Sequence, residues 1–246
     1  MTNTSIYHDI ATRTGGDIYL GLVGPVRTGK STFIKRFMET LVIPNIEDVY
    51  ARERAKDELP QSGSGRTIMT AEPKFVPEDA VAVTLDGGVN FSVRLIDCVG
   101  YMVDGASGQF EDGVERMVAT PWFDEEVPMS RAAEEGTRRV ITDHSTIGIV
   151  MTTDGSVCGI ERESYIPAEE RVVNELREIG KPFVLVLNSA NPQSEEAQAL
   201  RSELEEKYSV ACICVNCLTL DSDDIDAILK MALYEFPISE LGIYLP

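Results

Sequence analysis

One octapeptide near the start of the chain restricts its fold more than any other feature. Its residues, which match the pattern G-x-x-x-x-G-K-[ST], are Gly24-Pro25-Val26-Arg27-Thr28-Gly29-Lys30-Ser31. The two glycines permit backbone turns in which consecutive N–H groups face one anion. Lys30 has the length to reach the β- and γ-phosphates of a nucleotide, and the Ser31 hydroxyl is a ligand for Mg²⁺. The octapeptide therefore predicts a phosphate-binding loop.

The segments on either side of this loop have the patterns that such a loop requires. Residues 18–23 form a short apolar run that is typical of a buried strand. From Ser31 onward, apolar residues recur at helical spacing, and Pro44 limits the helix. The N-terminus of that helix adds a partial positive charge beside the phosphates. Nucleotide contacts are expected at Gly24, Pro25, Val26, Arg27, Thr28, Gly29, Lys30, Ser31 and Thr32.

Strands and helices alternate along the rest of the chain. We predict strands at residues 81–85, 91–96, 146–153, 183–187 and 210–215, and helices at residues 167–179, 194–208 and 221–234, with Asp221 as an N-cap. The first two strands form a hairpin across residues 86–90. The pattern predicts an α/β fold with a mainly parallel sheet, one antiparallel edge strand and helices on both faces. We expect a single domain over residues 1–246.

Two long segments fit no regular element well. Residues 45–75 contain a charged helical piece at 47–59 and then a glycine-rich stretch. Residues 101–140 are rich in glycine, proline and acidic residues. Loops of this length inside a compact domain are usually lids or switches. We interpret residues 45–75 as a switch I-like region and residues 101–140 as an insert.

A second motif follows the hairpin. Asp97-Cys98-Val99-Gly100 comes directly after the apolar residues 93–96. An acid at this strand end holds Mg²⁺ through water, and Gly100 offers its N–H to the γ-phosphate. Asp and Gly are also common in turns, so the motif alone is weak. Placed after the phosphate loop, D-x-x-G is the switch II motif of GTPase-like proteins, which makes this a P-loop NTPase of the GTPase-like (TRAFAC-type) class.

The switch I-like region offers a threonine for the metal ion. Switches of this kind supply a threonine that completes the Mg²⁺ shell when the γ-phosphate is present. Thr70 is the first choice and Thr67 the second. Arg66 is a candidate for charge stabilisation of the transferred phosphoryl group, and a solvated loop arginine is an equally good interpretation. The predicted catalytic residues are Lys30, Thr70 and Asp97, and the predicted metal ligands are Ser31, Thr70 and Asp97.

The base-recognition motif departs from that of a GTPase. After the strand at 183–187, a GTPase carries N-K-x-D, whose aspartate binds the two guanine N–H donors at N1 and N2. Here the sequence is Asn188-Ser189-Ala190-Asn191, which keeps the asparagine and lacks the lysine and the aspartate. An amide is a poorer partner than a carboxylate for two donors. We therefore expect ATP rather than GTP, with Asn188, Ser189 and Gly100 added to the nucleotide-binding residues.

Charge and cysteine content exclude other classes of function. A formal net charge of −19 opposes nonspecific binding to nucleic acid or to an anionic membrane. No run of 18 apolar residues occurs, and the start of the chain lacks the pattern of a signal peptide. The odd count of five cysteines favours reduced thiols in a cytoplasmic protein. Cys212, Cys214 and Cys217 are interpreted as core residues rather than metal ligands, because no second Cys/His cluster accompanies them.

Stretches outside these motifs resemble a known family. They include Asp57-Glu58-Leu59-Pro60-Gln61-Ser62 and Glu72-Pro73-Lys74-Phe75-Val76-Pro77, together with residues 13–21, 26–34, 67–70, 97–101 and 235–237. In these stretches the chain resembles the N-terminal region of the stage IV sporulation protein A family of spore-forming Firmicutes. The resemblance covers essentially the whole chain, and the family's C-terminal domains are absent from it.

The resemblance implies a Mg²⁺-dependent ATPase that hydrolyses ATP to drive its own polymerisation. The polymer would form the basement layer of the spore coat on the forespore surface, in the mother-cell cytoplasm. The implied partners are other copies of the chain, a small membrane-bound recruiting peptide and other coat proteins, the last two through the absent region. Lys30, Asp97 and Thr70 match the family's phosphate-binding lysine, the acid after the third strand and the first of two sensor threonines. The second threonine is Ala71 here.

Three alternatives remain open from the residues. A GTPase switch is favoured by D-x-x-G and disfavoured by Ala190 and Asn191. A small-molecule kinase shares Lys30 and Ser31 but needs an acceptor pocket and an arginine-rich lid, which the sequence does not reveal. A nucleotide binder without hydrolysis is the third. Tyr101 occupies the place after Gly100 where a glutamine would orient water, so the water-positioning group is unassigned and slow turnover is expected.

Overall fold

A six-stranded sheet forms the centre of the protein, in a computed structural model that describes residues 3–60, 72–85, 89–106, 108–111 and 113–236. In chain order its strands are β1 (Asp17–Val23), β2 (Lys74–Leu85), β3 (Val89–Asp97), β4 (Ile147–Thr153), β5 (Phe183–Asn188) and β6 (Cys212–Val215). They lie side by side in the order β6-β5-β4-β1-β3-β2. All neighbouring pairs are parallel except β2 and β3. The predicted α/β fold with a mainly parallel sheet is therefore confirmed.

The central strands are buried on both faces. Every residue of β4 and β5 is buried, as their continuous apolar runs predicted. Residues of β1 alternate between two cores, with Leu20 and Leu22 on one face and Tyr19 and Val23 on the other. Leu22 pairs with Asp97 in the ladder between β1 and β3. This register brings Asp97 to the carboxyl end of the sheet, beside the start of the phosphate loop.

The edge of the sheet is the predicted hairpin. β2 pairs with β3 in antiparallel register from Lys74↔Asp97 to Leu85↔Val89, with an irregularity between Val76 and Val81. The sequence predicted only the second half of β2, because a proline and two acids interrupt its apolar pattern at residues 77–79. The edge strand is thus antiparallel, as predicted, and begins seven residues earlier than its apolar run.

Helices cover both faces of the sheet. One face carries α1 (Asn3–Thr14), α2 (Lys30–Phe37), α3 (Val49–Asp57) and α7 (Ser222–Tyr234), and the other carries α5 (Ile166–Ile179) and α6 (Glu195–Tyr208). Gly180 ends α5 with a φ of 70°. Asp221 caps α7 by accepting a hydrogen bond from the Asp224 N–H at 3.0 Å, so the predicted N-cap is confirmed. These helices enclose two apolar cores, one on each face.

The insert contains structure that the sequence did not predict. Helix α4 (Met129–Arg139) lies within residues 101–140, after two short antiparallel ribbons that pair residues 110–111 with 114–115 and residues 117–118 with 127–128. The buried face of α4 includes Ala132, Ala133, Gly136 and Thr137, small side chains that give little apolar signal. Helix α1 was also missed. Across the described ranges, none of these helices has the length and apolar character needed to cross a bilayer.

Candidate nucleotide-binding site

The phosphate loop joins the carboxyl end of β1 to α2 in the predicted conformation. Three of its residues have positive φ: Gly24 at 130°, Arg27 at 66° and Gly29 at 96°. A side chain at Gly24 would place its Cβ 2.2 Å from the Met151 carbonyl oxygen, and one at Gly29 would lie 2.4 Å from Asn188 Nδ2. Only glycine fits at these two positions, because both the backbone torsion and the space exclude a Cβ.

Lys30 lies along the inside of this loop. Its side chain is buried, and Nζ donates to the carbonyl oxygens of Pro25 at 2.6 Å and Gly24 at 3.4 Å. Burial lowers the pKa of Lys30, and the neighbouring Cys98 and Asp97 side chains oppose that shift. An ammonium group held by neutral carbonyl oxygens is poorly compensated for the loss of water. The lysine is therefore placed to gain from an anion in the loop.

Ser31 and Asp97, two of the predicted metal ligands, contact each other. Ser31 Oγ donates to Asp97 Oδ2 at 2.5 Å, which joins the first turn of α2 to the end of β3. The other carboxylate oxygen, Asp97 Oδ1, is buried and accepts no hydrogen bond from the residues that the structure describes. Burial raises the pKa of Asp97, against the opposing effects of Ser31 and Lys30. A hydroxyl and an unsatisfied carboxylate oxygen are the hard ligands that Mg²⁺ prefers, so these residues fit the ion.

Gly100 contacts the phosphate loop directly. The Tyr101 N–H donates to the Gly24 carbonyl oxygen at 3.2 Å, and the Val26 N–H donates to the Tyr101 carbonyl oxygen at 2.9 Å. Gly100 has a φ of 91°, and a Cβ there would lie 2.2 Å from the Gly24 oxygen and 2.6 Å from Lys30 Nζ. Tyr101, the residue after D-x-x-G, is therefore bonded to the phosphate loop through its backbone, and Gly100 lies against the same loop.

Asn188 ties the loop to the last strands of the sheet. The buried Asn188 side chain donates from Nδ2 to the Thr28 carbonyl oxygen at 3.0 Å and accepts at Oδ1 from the Cys217 N–H at 3.0 Å. Ser189 is also buried, and its hydroxyl accepts from the Asn191 N–H at 3.1 Å. Asn188 thus lies beside the phosphate loop and shapes it through Thr28, and Ser189 follows Asn188 at the end of β5.

Most predicted site residues come together at one end of the sheet. The loop residues Gly24 to Ser31 meet Asp97, Gly100 and Asn188 there, and Thr32 is half-buried on the first turn of α2. Thr70, Thr67 and Arg66 lie outside the described residues. Their predicted roles therefore remain predictions.

A polar chain behind Tyr101 was not anticipated. The Tyr101 hydroxyl donates to Glu175 of α5, and the Arg171 guanidinium lies 4.6 Å from the centre of the Tyr101 ring. Arg171 in turn binds Glu134 of α4 through two hydrogen bonds of 2.6 and 3.0 Å. Only the adjacency of Tyr101 to Gly100 could have signalled this role in the sequence. Tyr101 and Glu175, like Arg171 and Glu134, are separated by dozens of residues, so no local pattern predicts these pairs.

The three cysteines near the end of the chain are core residues. Cys212 and Cys214 lie in one core and Cys217 in the other, all three buried. Burial raises the pKa of Cys214 to about 11 and that of Cys212 to about 12, which favours the neutral thiols. The structure thus agrees with their interpretation as small apolar residues.

Comparison with known proteins links the chain to one family. The family model for the stage IV sporulation protein A, ATPase domain, matches residues 1–237. The chain is 56% identical over 244 residues to a stage IV sporulation protein A from Clostridioides difficile (strain 630) and covers 50% of that protein's length, with 99% of the chain aligned. The proteins of the same name from Bacillus anthracis and Bacillus subtilis (strain 168) are 54% and 53% identical over 246 residues, which is 100% of the chain and 50% of each relative. The chain spans about half the length of these relatives.

Proposed function

Because the chain belongs to the family of stage IV sporulation protein A ATPase domains, we propose that it binds Mg²⁺·ATP and hydrolyses the γ-phosphate. The observation that carries this proposal is the cluster of Lys30, Ser31 and Asp97. At one glycine-bearing loop it brings together a buried ammonium group, a hydroxyl and a carboxylate oxygen that has no hydrogen-bond partner within the described part of the chain. Each of these groups gains from the polyanion and cation that Mg²⁺·ATP supplies.

Each residue has a distinct part in the proposed reaction. The backbone N–H groups of residues 27–31 surround the phosphates, and Lys30 exchanges its contact with the Pro25 carbonyl oxygen for the β- and γ-phosphates. Ser31 and Asp97 would hold the metal ion, which would supply positive charge against the charge that develops on the phosphoryl oxygens. Gly100 would direct its N–H to the γ-phosphate. Thr70, which lies outside the described residues, would be the further ligand of the ion.

We place the chain in the GTPase-like (TRAFAC-type) class of P-loop NTPases. The strand order supports this assignment, because β3, with its D-x-x-G, lies next to β1 and the antiparallel β2 lies beyond it. The bridge from Asn188 to the phosphate loop also supports it, since an asparagine is what remains of N-K-x-D. The same two observations favour a GTPase as the second candidate. The amide at Asn191 argues for ATP, because it is a poorer partner than a carboxylate for the two guanine donors.

The proposed purpose of hydrolysis is self-assembly. The family and the names of the relatives support a role in sporulation. From the resemblance, we propose that hydrolysis drives formation of a homopolymer, the basement layer of the spore coat, in the mother-cell cytoplasm on the forespore surface. A small membrane-bound peptide and other coat proteins are the further partners proposed, through a region beyond this chain. The coupling from Gly100 through Tyr101 to α5 and α4 offers a route from nucleotide state to the protein surface.

Separate titrations of ATP and GTP test this function. Phosphate release and sedimentation are measured together in the presence of Mg²⁺, for the wild type and for Lys30→Ala. We expect ATP turnover with assembly in the wild type and neither binding nor turnover in Lys30→Ala. Turnover of GTP equal to or greater than that of ATP contradicts the ATPase assignment. Turnover without assembly in the full-length protein contradicts the polymer assignment.

A further inference from the structure

The loops that follow β5 and β6 are placed to receive the nucleotide base. The phosphate loop follows β1, and Asp97 ends β3 on one side of it. β5 and β6 lie on the other side of β1, where Asn188 binds the Thr28 carbonyl oxygen. A triphosphate whose γ-phosphate points to Asp97 therefore has its base beside residues 189–191 and 216–219. This placement rests on the proposed function.

These two loops have little hydrogen-bond donor capacity left on their backbones. Six backbone N–H groups of these loops each donate a hydrogen bond to an acceptor within the protein. The donors are Ser189 (to Val215 O, 3.0 Å), Ala190 (to Ser156 Oγ, 2.9 Å), Asn191 (to Ser189 Oγ, 3.1 Å), Cys217 (to Asn188 Oδ1, 3.0 Å), Leu218 (to Asn216 Oδ1, 2.9 Å) and Thr219 (to Asn216 O, 3.0 Å). Acceptors in the same loops keep spare lone pairs, because each carbonyl or amide oxygen has two.

This imbalance discriminates between the two purines at position 6. Adenine carries a 6-amino group, which donates, and guanine carries a 6-oxo group, which accepts. A 6-oxo group beside these loops meets backbone N–H groups that already donate to acceptors within the protein, whereas a 6-amino group meets oxygens with free lone pairs. A site that leaves a ligand's polar group without a partner rejects that ligand strongly.

Asn216 accepts two of these six N–H groups, Leu218 at its side chain and Thr219 at its backbone carbonyl oxygen. Its Oδ1 accepts the Leu218 N–H, and its Nδ2 donates to the Ala190 carbonyl oxygen at 3.2 Å, which joins the two loops. We propose that Asn216 determines the nucleotide preference by occupying the Leu218 N–H that guanine would need and by offering Oδ1 to the 6-amino group of adenine. No local motif marks this residue in the sequence.

The side chain of Leu218 supports the same placement of the base. Leu218 is 73% exposed, which is unusual for a leucine in a loop whose neighbours Asn216 and Thr219 are polar. A flat apolar surface that covers this side chain removes it from water. A purine ring beside Asn216 covers the Leu218 side chain in this way, and the polar edge of the ring faces Asn216 Oδ1.

The test compares three nucleotides and two variants of the full chain. Dissociation constants are measured for ATP, GTP and inosine triphosphate with Mg²⁺. Inosine triphosphate has the 6-oxo group of guanine without the 2-amino group, so it isolates position 6. We expect the wild type to prefer ATP over both by about tenfold or more, and Asn216→Ala to reduce that ratio by about tenfold, because it frees one donor and removes one acceptor. The matched control Asn216→Asp keeps an oxygen at the same position and should keep the preference.

The outcomes distinguish the role of Asn216 from the proposed ATPase function. Tripolyphosphate binding reports the phosphate loop without a base, and we expect it to be the same in all three proteins. Three results overturn the role of Asn216 and leave the ATPase proposal standing. They are loss of tripolyphosphate binding in Asn216→Ala, an unchanged preference for ATP in that variant, and a preference for ATP in Asn216→Asp as low as in Asn216→Ala. A wild type that prefers GTP contradicts both. Equal binding of ATP and inosine triphosphate by the wild type overturns recognition at position 6.

Discussion

Substitution of Gly100 by alanine tests the bonded contact between D-x-x-G and the phosphate loop. The φ of 91° alone costs an L-residue about 1–2 kcal/mol. The new Cβ would also lie 2.2 Å from the Gly24 carbonyl oxygen, which belongs to backbone that cannot retreat because Gly24 itself packs against Met151. The segment must therefore move away and lose the two hydrogen bonds between Tyr101 and the loop, at about 1 kcal/mol each. The expected loss of stability is about 3–4 kcal/mol in total.

Gly180→Ala is the matched control for backbone strain. Gly180 has a φ of 70°, and a Cβ there meets nothing within 4 Å. We expect it to lose only the strain of about 1–2 kcal/mol. The difference of about 2 kcal/mol corresponds to roughly 4–8 °C in the midpoint of thermal unfolding for a chain of this size.

The two variants should also differ in activity. Displacement of the Gly100 N–H would remove its proposed contact with the γ-phosphate, so phosphate release should fall more than about tenfold in Gly100→Ala. Gly180→Ala, at the far end of α5, should retain the wild-type rate. Equal losses of stability in the two variants, or normal phosphate release from Gly100→Ala, would refute the contact between the two motifs.

Three further predictions concern the surroundings of the site. Asn188→Ala leaves the Thr28 carbonyl oxygen and the Cys217 N–H without their Asn188 partner, so urea unfolding should show that the free energy of unfolding falls by about 2–5 kcal/mol. ATP affinity should fall as well, and retained affinity would show that Asn188 does not shape the phosphate loop. Glu169→Ala leaves the largely buried Arg162 without its carboxylate partner and should cost about 3–5 kcal/mol in the same assay. Glu134→Ala removes one of two carboxylate partners of the exposed Arg171 and should cost below about 1 kcal/mol, and equal costs would contradict the difference in burial. Iodoacetamide should label Cys158 of the native protein first, because Cys158 is exposed and the other four thiols are buried: Cys98, Cys212, Cys214 and Cys217. Mass spectrometry follows the labelling, and early labelling of any buried thiol would contradict this packing.

The parts of the fold that local patterns encode were predictable. Continuous apolar runs located β1, β4 and β5, since a strand buried on both faces needs apolar residues throughout. Turn and cap residues located helix ends, as at Gly180 and Asp221. The phosphate loop was predictable for the same reason, because its chemistry requires particular residues at fixed spacing.

The parts that depend on small side chains or on distant contacts were not predictable. Helix α4 buries Ala132, Ala133 and Gly136, whose small size gives no clear apolar periodicity. Helix α1 is anchored from afar, with the Tyr7 hydroxyl bonded to Asp226 of α7. The role of Asn216 depends on which backbone N–H groups already have acceptors, and several of those acceptors lie on other loops.

Binding of ATP with and without Mg²⁺ tests the central claim most directly. Calorimetric titrations compare the wild type with Lys30→Ala and Asp97→Ala. We predict that Mg²⁺ strengthens ATP binding to the wild type, that Lys30→Ala binds no ATP, and that Asp97→Ala binds ATP without any gain from Mg²⁺, because Asp97 Oδ1 is the oxygen that we propose holds the ion. Binding of ATP to Lys30→Ala as tight as to the wild type would contradict the assignment of this loop as the site of hydrolysis.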